Sequence, residues 1–200
     1  WMEAETWTAC TADIKLDDYA GKPCFGGLDL SSNRDLTALA LLFPGEDYDD
    51  LFTWFWLPRD NIIQLAEENR GPYVQWAEQG LIELTPGAVV DHTMIRKRLN
   101  ELAAQFDIQE IGYAPYNAVS LVTDLDNDGL KMKEHRQGFI SMNAPTKEFE
   151  RLVVSRRIRH ANHEVMNWMV SNAEAVFDAA GCVKLTKGDR KTSRYVIDGV

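Results

Sequence analysis

The stretch that most constrains the fold is residues 24–44, Cys-Phe-Gly-Gly-Leu-Asp-Leu-Ser-Ser-Asn-Arg-Asp-Leu-Thr-Ala-Leu-Ala-Leu-Leu-Phe-Pro. It reads as two neighbouring strands joined by a short polar turn. The second, residues 36–43, is almost wholly apolar, as a strand buried on both faces should be. The first carries one carboxylate, Asp29, in an otherwise apolar run. A carboxylate on a strand bound for a core is costly to ionise unless something pairs with it. A divalent cation is a partner that also brings chemistry. An Asp beside Gly and Ser also serves as a turn residue that caps local N–H groups, and this stretch alone leaves both roles open.

The rest of the chain supplies the context. Residues 1–22 read as a short helix near residues 3–11 and then a loop, a linker-like lead into a domain over 23–200. The opening Trp1-Met2-Glu3 reads as a piece excised from something longer. A third, aromatic-rich strand at 51–57 follows the turn at 45–50, and the loops of this meander are too short for helical crossovers, so the three strands pair antiparallel. Short helices are expected near 58–70 and 73–80, where Trp76 reads as packing, and an extended piece at 81–84. Asp91 is placed to cap a long helix with Ile95, Leu99, Leu102, Ala103 and Phe106 on one face. A strand at 108–113, a helix from Asn117 to Leu125 and a strand at 130–135 make a β–α–β unit, which implies parallel pairing and a right-handed crossover. A helix at 145–154 with Pro145 in its first turn, a basic stretch at 156–160, a helix at 163–173, a hairpin of 174–177 with 183–185, and a basic loop at 186–194 complete the chain up to Asp198.

Composition excludes little but orders the possibilities. No run approaches the roughly 18 apolar residues of a membrane span. Cys10, Cys24 and Cys182 have no metal-site spacing and read as free thiols of a reducing compartment. The net charge of −10 argues at first against nucleic acid. However, residues 1–130 hold 8 basic and 23 acidic side chains, whereas residues 131–200 hold 13 and 8, which allows a basic face on an acidic protein. Gly26-Gly27 lacks the Lys-Ser/Thr of a phosphate-binding loop, which disfavours a nucleotide-binding protein.

A meander followed by parallel β–α units predicts a mixed α/β sheet with helices on both faces, the first strand central and the 108–113 strand beside it. Ligands in such sheets gather at strand carboxyl ends near a change of direction. An acid at position 114 would face Asp29 there, and Asp198 could reach the same edge. Three converging carboxylates hold two Mg²⁺ or Mn²⁺ about 3.5–4 Å apart, the arrangement for phosphodiester hydrolysis. Oxygen ligands suit those ions, and no His/Cys cluster suits zinc.

Gly26-Gly27-Leu28-Asp29-Leu30-Ser31-Ser32 with Arg34-Asp35-Leu36-Thr37-Ala38 resembles the opening of the nuclease domain of tailed-phage terminase large subunits. In the same order follow Phe55-Trp56-Leu57-Pro58, Gln75-Trp76-Ala77-Glu78-Gln79-Gly80, Leu84-Thr85-Pro86-Gly87, Pro145-Thr146-Lys147-Glu148, Arg159-His160, Asn167-Trp168-Met169-Val170-Ser171-Asn172 and Ile197-Asp198-Gly199-Val200. The resemblance implies an RNase H-like fold, truncated here at its C-terminal helix, and a metal-dependent endonuclease cutting concatemeric double-stranded DNA in the cytoplasm of an infected bacterial host. It also implies an ATPase domain ahead of residue 1, with the small terminase subunit and the portal as partners; no membrane partner is implied.

On the matching positions, Asp29 is the family's first acid and Asp198 its last. The middle acid falls in Ile111-Gly112-Tyr113-x-Pro115-Tyr116-Asn117, and here x is Ala114. A methyl group binds no metal, so the site is expected to hold metal weakly and cut poorly or not at all, whether the alanine was introduced or is natural. Asp124 could substitute only if its helix placed it at that edge. Asp35 reads as a turn cap that could support the site. His160 and His163 read equally as core or capping residues and as groups that contact phosphate or position water near the metals. Lys187, Arg190, Lys191 and Arg194 are the candidates for DNA-backbone contacts, which position without reading sequence. The rivals are a DNA-binding or docking module without catalysis, which Ala114 favours, and another RNase H-like enzyme such as a resolvase or transposase.

Overall fold

A computed structural model describes residues 1–31, 35–116 and 118–186. After helix α1 (Ala4–Thr8) come strands β1 (Pro23–Asp29), β2 (Thr37–Phe43) and β3 (Asp49–Pro58). They form the expected antiparallel meander, with Asp29 opposite Ala38 and Ala38 opposite Phe55. Helices α2 (Ile62–Asn69) and α3 (Tyr73–Glu78) lead to the short strand β4 (Glu83–Thr85), then α4 (His92–Gln105), β5 (Asp107–Tyr113), α5 (Val119–Asn127) and β6 (Met132–Glu134). β5 lies parallel to β1 and β6 parallel to β5. Among the described residues, the sheet order is β4-β3-β2-β1-β5-β6, which makes β1 central and puts β5 at its side.

The period-2 alternation of β2 and β3 fills two cores. On one face, Leu39, Leu41, Phe43, Phe52 and Trp56 meet Ile95, Leu99 and Leu102 of α4 and Leu121, Val122 and Leu125 of α5. Asp91 caps α4 as its sequence predicts, accepting the Thr93 N–H at 2.8 Å. On the other face, Leu36, Ala38, Leu51, Phe55 and Leu57 meet Trp7 of α1, Leu65 of α2 and Trp76 of α3. Trp76 is packing: its ring stands edge-on to Tyr73 and Trp168 at 5.6 and 5.7 Å. The segment before β1, read as a linker, is part of this body, with Trp7 buried and its indole N–H donating to Asn167 at 2.7 Å.

Three local readings change. The basic stretch at 156–160 contains a strand, β7 (Ile158–His160), parallel to residues 49–51 of β3. The helix expected from Pro145 begins earlier, as α6 (Phe139–Val154) with Pro145 inside it. Proline at an interior position withholds a donor from the carbonyl four residues back, and here that carbonyl belongs to Ser141. The remaining elements, α7 (Glu164–Asn172) and the hairpin β8 (Glu174–Phe177) with β9 (Val183–Thr186), follow the sequence closely.

The third change bears on function. Along β1, Cys24 and Leu28 are buried, while Phe25 is 48 % exposed and Gly27 is exposed. Asp29 follows in the Phe25–Gly27 phase and is partly buried. The carboxylate therefore sits where the open part of this sheet face meets the second core, with buried Ala38 beside it, and this lowers the desolvation cost that the sequence alone suggests.

Candidate functional site

Leu28 pairs with Tyr113, and the next residue, Ala114, donates its N–H to the Leu28 carbonyl at 3.2 Å. One strand further, the His135 N–H donates to the Tyr113 carbonyl at 2.8 Å. Parallel partners in register share a face. Asp29, Ala114 and His135 thus form one cross-strand row at the carboxyl ends of three parallel strands, continued by Ala38 and Phe55 on the other side. The structure brings positions 29 and 114 together as the sequence expects. Ala114 is 8 % exposed, and its methyl stands where a carboxylate would complete a pair.

The turn beyond Asp29 is strapped locally. Ser31 N–H donates to the Thr37 hydroxyl at 3.0 Å, and the Ser31 hydroxyl donates to the Asp35 carbonyl. The main chain of Asp35 and the Thr37 side chain therefore hold Ser31, two residues beyond Asp29.

The decisive comparison is with protein families: the model of the terminase large subunit endonuclease domain matches residues 1–200. The chain belongs to that family. It is 35 % identical over 179 residues to the terminase large subunit of Enterobacteria phage HK97, covering 88 % of this chain and 35 % of that protein. It is 27 % identical over 177 residues to protein YmfN of Escherichia coli K12, covering 84 % of this chain and 39 % of that one. The chain thus spans little more than a third of these relatives. The crystal structure of the HK97 large terminase superposes with a TM-score of 0.86 at 31 % identity, over 99 % of this chain and 41 % of that one. The magnesium-bound nuclease of the thermophilic phage G20c large terminase gives 0.51 at 11 % identity, over 88 % and 82 %, and shares the fold. The RNase H-like architecture is that of terminase nucleases.

Of the histidines in this terminase nuclease domain, His160 and His163, the two that the sequence singles out, lie away from Asp29. His160 belongs to β7 opposite Leu51, a level of the sheet that runs through Leu42 to Phe25, four residues below Asp29. Its ring is buried and stacked on Trp7 at 3.9 Å. Nδ1 accepts the Asn162 N–H at 3.2 Å, and Nε2 faces the Trp7 carbonyl at 3.0 Å. That pairing assigns the proton to Nε2. Burial pushes the imidazole below its ordinary range against the pull of the Trp7 carbonyl, so His160 is a neutral core residue. His163 precedes α7 with its ring 5.0 Å from that of Phe55, beyond β2 from Asp29. Burial lowers its pKa too, opposed by Glu164. It lines a cleft of about 170 Å³ with Leu16, Thr53, Trp54 and Met166.

Asp124 faces Arg96 at 3.6 Å on the outer side of α5 and takes no part in the row. Asp198, Lys187, Arg190, Lys191 and Arg194 lie outside the described residues. Among the described residues, no group of three His, Cys, Asp or Glu side chains could hold a metal ion. Asp29 beside a methyl does not fit a two-ion centre.

Sequence reasoning missed His135, whose only signal was the alternation over 131–135 in register with β5. It also missed a buried knot. Asp50 accepts the Tyr19 hydroxyl at 2.5 Å and both arms of Arg159 at 2.7 Å. This pins β7 to β3 and holds Arg159, which the sequence groups with the basic stretch, as structure.

Proposed function

We propose that this domain is the metal-dependent DNA endonuclease of a packaging terminase, built to cut concatemeric double-stranded DNA, and that with alanine at position 114 it cuts weakly or not at all. The observation that carries the reading is the 3.2 Å hydrogen bond from Ala114 N–H to the Leu28 carbonyl. It sets the side chain of position 114 next to that of Asp29 at the open end of the central strands. Aspartate there gives two adjacent carboxylates at the carboxyl ends of the central strands, a donor set for Mg²⁺ or Mn²⁺; Asp198 is the proposed third. A divalent ion, when bound, would supply water activation and neutralisation of phosphate charge. The structures of the G20c nuclease with bound magnesium and with bound cobalt concern that protein and indicate which ions to try. Lys187, Arg190, Lys191 and Arg194 are proposed backbone contacts, and an ATPase domain of the same polypeptide, the small subunit and the portal are proposed partners.

Ala114 itself favours a second reading, a module that grips DNA without cutting it. Supercoiled plasmid with Mn²⁺ or Mg²⁺ separates the two. Nicking by an Ala114→Asp variant, little or none by the parent, and loss of nicking on adding Asp29→Asn support the endonuclease. Salt-sensitive DNA binding with no cleavage by either supports the gripping module. Cleavage by the parent at the rate of the variant contradicts the assignment of position 114.

A further inference from the structure

We infer that the paired glycines Gly27 and Gly112 form a bare floor over which the sugar–phosphate backbone of one DNA strand runs to reach Asp29. The inference rests on the proposed DNA-cutting function and adds the path of the substrate to it.

Two central glycines carry a cost that nothing among the described residues explains. Glycine inside a strand loses more backbone entropy on folding than any other residue and packs nothing. Gly27 and Gly112 are nonetheless register partners at the centre of the sheet. Neither has a positive φ. A Cβ at Gly27 would meet nothing within 4 Å among the described residues, and one at Gly112 would meet the Gly26 carbonyl oxygen at 3.8 Å and His135 Cβ at 4.0 Å, ordinary contacts. Gly26 is the control. It faces the core, where a Cβ would stand 2.8 Å from Ile111 Cγ1, so packing accounts for it. At Gly27 and Gly112 nothing among the described residues requires a bare surface, which is the situation where a ligand or another backbone approaches closely.

Position and charge identify the visitor. Gly27 and Gly112 are two residues before Asp29 and Ala114 on the same face, about 7 Å along strands that rise about 3.3 Å per residue. Successive nucleotides advance about 3.4 Å along a duplex, so a strand that presents a phosphate to Asp29 carries its neighbouring nucleotides over the glycines. The row continues to Lys133, the register partner of Gly112, with Lys131 in the row below. Both lysines are exposed, at 73 % and 69 % of the side chain for Lys131 and Lys133, and rest on Glu110 at 3.5 and 3.3 Å. Exposed pairs of this kind hold weakly, so a phosphate can take the lysines over. Glu110, beside Phe25 in the lower row, bounds the path on the side away from Asp29.

The test measures binding of the parent chain and of Gly27→Val, Gly112→Val and Lys133→Gln to a 20-base-pair duplex by fluorescence anisotropy over a salt series. A thermal unfolding curve is recorded for each. The expected result is a Tm held or raised in both valine variants with affinity at least about tenfold lower. In Lys133→Gln, the slope of log K against log salt should shrink by about 0.9, the value for one phosphate contact. Unchanged affinity with Tm held would overturn the inference and assign the bare surface to a protein neighbour. A lowered Tm in both valine variants would overturn it as well, since the fold itself would then require glycine. A parent chain that binds no duplex would instead bring down the proposed function, so the two failures are distinguishable.

Discussion

Replacing Arg159 by Met removes the charged half of the buried knot while keeping an aliphatic stem beneath Tyr48, whose ring centroid lies 4.7 Å from the guanidinium. Asp50 is 5 % exposed and is left with the Tyr19 hydroxyl as its remaining partner in the knot. Removing one partner of a fully buried ion pair costs about 3–5 kcal/mol. The Arg159 side chain is 35 % exposed, so some water reaches the pair and the lower end applies, about 3 kcal/mol. For a domain of this size, each kcal/mol moves Tm by about 2–4 °C, so a loss of about 6–12 °C is expected. Urea unfolding followed by circular dichroism gives the free energy directly. Asp50→Asn in the same background removes the stranded charge yet still accepts from Tyr19, and should restore at least about 1 kcal/mol, the coupling of a close pair. A loss below about 1 kcal/mol, or strictly additive effects in the cycle, would refute the claim that this knot fastens β7 to β3.

Further predictions concern titration and the helix over Pro145. Burial, with the hydrogen bond to Asp50 second, pushes Tyr19 up to about 12. A raised folded value means that its contribution is complete below about pH 10 and is lost as pH rises toward 12, about 2–3 kcal/mol at about 1.4 per unit. Tyr19→Phe should flatten that alkaline loss in Tm measured from pH 9 to 11.5, and an unchanged slope would contradict it. His160 is held neutral, its folded pKa below the ordinary value of 6.5. Its contribution is therefore complete above about pH 6.5 and fades as pH falls below it. His160→Gln should reduce the acid-side drop in Tm between pH 7 and 5, and His163, shifted in the same direction, contributes to that drop as well. Pro145→Ala restores an N–H for the Ser141 carbonyl within α6 and should stabilise by about 1–3 kcal/mol in urea; a destabilised variant would show that the proline sets a bend the packing requires.

The sheet was legible because its signals are long. Residues 36–43 and 51–57 are continuous apolar runs with short connections, and residues 91–135 alternate helical and extended periods. These features sufficed to place β1 at the centre and β5 at its side. β7 was not legible, because Arg156-Arg157-Ile158-Arg159-His160 offers one apolar residue and its partner strand is a hundred residues away. The start of α6 was hidden by Pro145, which local chemistry places in a first turn but which tertiary packing carries inside the helix. The juxtaposition of positions 29 and 114 could be read from topology alone. The partial exposure of Asp29 could not, because it depends on which strands the helices beyond β3 leave uncovered. His160 shows the limit from the other side: in sequence it stands in a basic stretch, while in the structure Trp7, from the chain's first helix, stacks on it.

The central claim is that Asp29 and position 114 are two halves of one metal site, and Mn²⁺ binding tests it without requiring turnover. Isothermal titration calorimetry on the parent, on Ala114→Asp, and on Ala114→Asp with Asp29→Asn measures it directly. Affinity for hard cations rises with the number of charged oxygen ligands. The account predicts that Ala114→Asp binds Mn²⁺ at least about tenfold more tightly than the parent and that Asp29→Asn abolishes the gain. Equal, weak binding by all three proteins would contradict it, and would mean that the carboxylate completing this terminase nuclease site stands elsewhere than at position 114.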